Sequence, residues 1–73
     1  MHKIRVNLVT KSDMEEFVHI AQSIPDEVYL RDNHKHCVNA KSMLGCLYSV
    51  EFDETYVTSD NPCIASKFSK FMQ

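Results

Sequence analysis

The chain has 73 residues, 44% of them hydrophobic and 25% charged, with a net charge of −2. That length makes one domain, residues 1–73, and the mix reads as globular, not disordered. It leaves no room for a deep active-site cavity, and the mild negative charge speaks against an electrostatic affinity for nucleic acid or an anionic membrane.

No apolar run approaches the roughly 20 residues of a membrane span. Met1-His2-Lys3-Ile4-Arg5-Val6 lacks the continuous apolar core of a signal peptide. Cys37, Cys46 and Cys63 are widely spaced and odd in number. They read as reduced cytosolic thiols, two of them buried.

Residues 3–8 alternate polar and apolar, which predicts a half-buried strand with Ile4, Val6 and Leu8 inward. Ser12-Asp13-Met14-Glu15 has the form of a capping box. Met14, Phe17, Val18 and Ala21 mark the apolar stripe of the helix it opens, and Pro25 stops that helix. His19 falls off the stripe and faces solvent. Residues 27–31 predict a second strand with Val28 and Leu30 inward. Asp32-Asn33-His34-Lys35 is a turn by composition, and residues 36–39 are the return strand. With Asp32, His34 and His36 could bind a transition metal, but the cluster lacks the spacing of a structural zinc site; a solvated turn explains it more simply, and no metal is assigned.

Next comes Val38-Asn39-Ala40-Lys41-Ser42-Met43-Leu44-Gly45-Cys46-Leu47. It leaves the strand and opens a short helix, which the Ser42 hydroxyl can cap. Met43, Leu44 and Leu47 recur at helical spacing and could be core or an exposed patch. The chain's single glycine, Gly45, lets another surface approach closely. Residues 52–58 predict a fourth strand, rich in aromatic and β-branched residues, whose buried face the pattern does not reveal. Asn61-Pro62 opens a last helix with Ile64, Ala65, Phe68, Phe71 and Met72 toward the core. Strand–helix–strand–strand–helix–strand–helix makes an α+β open-faced sandwich; on pattern alone a ferredoxin-like arrangement is also open.

The words Val-Asn-Ala-Lys-Ser and Gly-x-Leu resemble the regulatory-serine segment of HPr, the small phosphocarrier of the bacterial sugar phosphotransferase system. The resemblance runs from Ile4 to about Met72 and is sharpest over residues 38–47. It implies an HPr-like fold: a four-stranded antiparallel sheet with helices on one face, in the order β-α-β-β-α-β-α. The family carries phosphate on a histidine at the start of the first helix, in a Gly-x-His-Ala-Arg-Pro setting. Here the matching stretch is Leu8-Val9-Thr10-Lys11-Ser12-Asp13, without histidine, arginine, glycine or proline.

The resemblance therefore implies a variant that has lost its phosphocarrier histidine, Crh-like in that respect, and acts by binding instead of catalysis. It implies Ser42 as a site for an HPr-type kinase, with Lys41 offsetting part of the phosphate charge. It also implies Lys41, Met43, Leu44 and Leu47 as the surface that meets protein partners of the phosphotransferase system or its regulation. The expected setting is a bacterial cytoplasm and a monomer, with no cofactor, membrane or nucleic acid. The alternative is an active phosphocarrier with a displaced histidine: His2, His34 and His36 fall in other elements, and His19 lies two turns into its helix. For Ser42 the plain reading is a helix cap, worth about 1 kcal/mol.

Overall fold

The computed structural model describes residues 1–32 and 34–72. Asn33, in the expected turn before the return strand, lies outside the described residues. The elements are β1 (His2–Val6), α1 (Lys11–Ser23), β2 (Val28–Arg31), β3 (Cys37–Asn39), α2 (Met43–Tyr48), β4 (Thr55–Ser59) and α3 (Ile64–Lys67). Single 3-10 turns follow α2 at Ser49–Glu51 and α3 at Ser69–Phe71. The sheet is antiparallel, in spatial order β1-β4-β2-β3, so the last strand in sequence is threaded between the first two. The result is a four-stranded α+β open sheet with three helices.

One row of the register, Ile4–Val57–Leu30–Val38, faces the helices. Val57 and Leu30 are fully buried, and Val6 and Val28 join them. The opposite face carries Lys3, Arg5, Tyr56, Thr58, Tyr29 and Arg31. Thr58 is buried there too, because the Arg31 Nε–H donates to its Oγ1 at 3.2 Å and covers it. Residues 52–58 give no clear phase because Phe52 and Tyr56 oppose Thr55 and Val57. Phe52 is not in the strand, since its N–H returns to the Ser49 carbonyl at 3.0 Å.

β1 ends at Val6, short of the expected Leu8. The Asn7 N–H turns to the Phe71 carbonyl (2.7 Å), and Val6 bridges to Met72. The C-terminal segment thus covers the end of the outer edge of β1, at Val6 and Asn7.

Met14, Phe17, Val18 and Ala21 are buried along α1, as the stripe predicts. The capping box is Thr10 with Asp13, not Ser12 with Glu15. Two boxes of equal spacing start two residues apart, and the earlier one wins because Asp13 also binds the Val9 and Thr10 N–H groups. The Phe17 ring stacks on Phe68 at 4.6 Å and meets Phe71 edge-on at 5.7 Å. Such pairs add about 0.5–1.5 kcal/mol beyond their buried area.

Three other expectations are corrected. Asn61 does not cap the last helix; its Oδ1 accepts the Cys63 N–H (2.8 Å) in a turn, and α3 begins at Ile64. Within the four-residue α3 only Ile64 is buried and Ala65 is exposed, and the 3-10 turn after Phe68 shifts the phase so that Met72 is exposed too. Of the cysteines only Cys46 is buried; Cys37 lies on the outer sheet face and Cys63 in the turn. Burial pushes the Cys46 thiol up to about 11, against an opposing hydrogen bond from Ser49. An aromatic disulfide reagent at neutral pH should titrate Cys37 and Cys63 rapidly and Cys46 only after denaturant; fast reaction of all three in the native protein would contradict this burial.

Candidate functional site

α2 is only six residues long, too short to hold itself together in water. Local contacts fix it. The Ser42 hydroxyl accepts the Gly45 N–H at 3.3 Å, and the Ser42 carbonyl accepts the Cys46 N–H at 2.9 Å. At the other end the Ser49 hydroxyl donates to the Cys46 carbonyl at 2.6 Å. Gly45 lies against β3: a Cβ there would sit 2.9 Å from the Asn39 carbonyl oxygen and 3.4 Å from the Val38 Cβ. The sequence expectation of a close approach at this glycine holds.

This docking buries one residue of α2, Cys46. The remaining apolar side chains divide. Met43 packs half-buried against the core. Leu44 is 79% exposed, Leu47 40% and Tyr48 55%, and the following turn adds Val50 at 60%. A shallow groove beside Ser42 is lined by Val38, Leu44, Gly45 and Tyr48. Tyr48 continues it edge-on to Phe52, whose ring stacks near His36 at 6.0 Å.

The structure brings Ser42, Leu44 and Leu47 onto one surface but turns Met43 inward. Lys41 is tied down, its Nζ donating to the Ile24 carbonyl at 2.7 Å and its own carbonyl accepting from Gln22 at 3.1 Å. It therefore braces α2 against the C-terminal end of α1 and is not held beside the Ser42 hydroxyl. The start of α1 is reached at the far end of α2, where Leu8, Val9 and Met14 line a cleft with Val50 and Phe52. Tyr48 and Val50 were missed by helical spacing. The available signal was density: residues 43–50 hold more apolar side chains than one face of a six-residue helix can bury.

At the start of α1, Asp13 occupies backbone donors. Its Oδ2 accepts the Val9 and Thr10 N–H groups, both at 3.2 Å. The bond from Thr10 lowers the Asp13 pKa most, over a smaller opposing effect of desolvation. His19 is exposed on α1.

Asp32 is nearly buried. Its Oδ1 accepts the His34 and His36 N–H groups at 2.8 and 3.1 Å, and its Oδ2 lies 2.6 Å from His36 Nδ1. Burial raises its pKa, but the His36 ring and the two N–H groups outweigh that, and the carboxyl is held below its ordinary value. Both oxygens are thus engaged within one turn. Among the described residues no group of three His, Cys, Asp or Glu side chains is arranged to hold a metal ion.

Comparison of the chain with protein-family models, curated proteins and solved structures finds no match in any of the three.

Two outcomes test this geometry. Gly45→Ala gains helix propensity but forces backbone apart, and should lower unfolding free energy by about 1–2 kcal/mol in urea titration. Asp32 favours the fold above the ordinary carboxylate pKa, and that contribution disappears as pH falls through its lowered folded value. Wild type should therefore lose stability in that acid window, and Asp32→Asn should lose correspondingly less, measured as melting temperature against pH.

Proposed function

We propose that this chain is an HPr-like protein without a phosphocarrier histidine, working by protein–protein contact in or beside the bacterial sugar phosphotransferase system. The contact surface is the exposed run Leu44, Leu47 and Tyr48, extended by Val50, and Ser42 at its head is a regulatory phosphorylation site. The observation that carries this reading is the exposure of those apolar side chains, of which Leu44 and Tyr48 line the groove at the Ser42 cap. Lone exposed leucines are ordinary, but a contiguous apolar strip flanking a hydroxyl is what a docking surface requires. The element order and the place of Ser42 at the head of the short helix agree with the family resemblance. Asp13 supports the loss of the carrier role, because its carboxylate takes up donors at the helix start and repels a phosphoryl group.

Phosphate on Ser42 would place about −1.5 to −2 charge at the rim of an apolar strip. Its oxygens can take over the bond now made by the Gly45 N–H, so the fold survives. The added charge makes the strip costly to desolvate and weakens apolar partners while favouring cationic ones. Lys41 contributes to this only by leaving the Ile24 carbonyl.

A second reading rests on His36. Asp32 holds its Nδ1 side at 2.6 Å and the side chain is more than half exposed. A displaced phosphocarrier would use this histidine before His2, His19 or His34.

Intact mass separates the two. Incubation with ATP and an HPr-type kinase should add one acid-stable phosphate that Ser42→Ala loses. Leu44→Lys should slow that modification at least severalfold with the melting temperature unchanged, whereas Met43→Lys should lower the melting temperature. An acid-labile phosphate from phosphoenolpyruvate and the first enzyme of the system, lost in His36→Gln, would replace this reading with the second. No modification in either incubation would remove Ser42 as a kinase site.

A further inference from the structure

The three helices lie on one side of the sheet, and its other side is uncovered. Eight strand positions face outward there. Read across the strands, one row is Lys3–Thr58–Tyr29–Asn39 and the next is Arg5–Tyr56–Arg31–Cys37. These rows hold three cations and two tyrosines, and the carboxylates of Glu27 and Glu54 reach the same face from just before β2 and β4. Cross-strand neighbours stand about 5 Å apart, so Tyr56 sits between two guanidinium groups, with Tyr29 on the diagonal. Lys3 Nζ lies 4.3 Å from the Tyr56 ring centroid.

The tyrosine hydroxyls are already engaged. Tyr29 donates to Glu27 at 2.9 Å and Tyr56 to Glu54 at 2.6 Å, each glutamate lying two residues before its tyrosine at the start of the strand. These bonds raise both phenol pKa values, so the rings remain neutral. Both rings are half-buried, with Lys3 over one face of Tyr56, so what they offer a ligand is the remaining exposed ring surface, beside positive charge. Arg31 is anchored by Thr58, and Arg5 pairs with Glu54 at 3.8 Å. Lys3 is exposed and can swing from the ring to an incoming anion.

We propose that this face binds single-stranded nucleic acid, with bases stacked on Tyr56 and Tyr29 and phosphates on Arg5, Arg31 and Lys3. An open antiparallel sheet with aromatic rings between cationic side chains is the arrangement that flat bases on a phosphate backbone complement. A duplex would conceal the base faces that the rings need, and an acidic peptide would satisfy the cations but leave the rings unused. The net charge of −2 gives no long-range attraction, so the binding is short-range and confined to low ionic strength. The face is separate from the α2 surface and does not depend on the proposed regulatory role.

The test is fluorescence anisotropy of a short labelled oligothymidylate titrated with the full chain at low salt. Wild type should bind, and affinity should fall as salt rises. Tyr56→Ala should weaken binding roughly tenfold, and Tyr56→Phe, which keeps the ring, should bind like wild type. Arg31→Gln should weaken binding and flatten the salt dependence. Far-ultraviolet circular dichroism checks that each variant is folded, and Tyr29→Ala serves if Tyr56→Ala is not. Absence of binding by wild type overturns the proposal. So does unchanged affinity in the folded ring variant, or equal competition by polyglutamate or by duplex DNA.

Discussion

Phe17 of α1 and Phe68 at the end of α3 stack 4.6 Å apart, both fully buried, with Phe71 edge-on to the same ring. α3 has four residues and the turn after it three, lengths at which helical hydrogen bonds alone do not persist. Their conformation is imposed by the rings they deliver to Phe17. Once placed, the segment presents the Phe71 carbonyl to Asn7 and lets Met72 bridge Val6, so one aromatic contact positions the backbone that covers the end of the sheet edge. The Lys70–Glu16 ion pair, 2.5 Å across the surface between the same two segments, is exposed and adds little beside that burial.

α2 is held differently, and the difference gives the molecule its candidate surface. Its anchor is one buried thiol and one glycine pressed on a strand carbonyl, so the helix lies flat against β3 and α1 with little of its circumference covered. A longer side chain at Gly45 would lift it away, and a larger buried face would draw Leu44 and Leu47 inward. The apolar strip is thus a geometrical result of how close α2 sits to the sheet. The opposite side of the sheet follows another rule: with no helix over it, its positions are polar, cationic or amphipathic.

Much of this was legible in the residues. The α1 stripe, the inward pair Val28 and Leu30, the Ser42 cap and the close approach at Gly45 each rest on local periodicity or a single residue's stereochemistry. What could not be read depended on partners distant in the chain. Thr58 is buried by Arg31, the limit of β1 is set by Phe71, and Lys41 is held by a carbonyl at the end of α1. The helix caps failed for another reason: the Thr10 and Ser12 boxes are chemically equivalent until backbone geometry selects one, and an asparagine before proline serves an Asx turn as readily as a cap. The Ser42 cap and the helical spacing of Leu44 and Leu47 could be read locally, and both leucines are exposed. The inward turn of Met43 could not, because at so short a helix that direction is decided by packing and not by phase.

The threading of β4 between β1 and β2 has a consequence for how the chain is made. The hairpin of β2 and β3 joins near neighbours in sequence and can form early. β1, by contrast, has no strand partner until residues 55–59 appear, and the end of its outer edge stays open until residues 71 and 72 arrive. During synthesis the first strand and the Phe17 face of α1 therefore wait, uncovered, while nearly the whole domain emerges from the ribosome. Such a chain cannot acquire its structure piecewise from the N-terminus. Its closure depends on contacts between distant parts of the sequence, which leaves an interval in which a nascent-chain chaperone has apolar surface to hold.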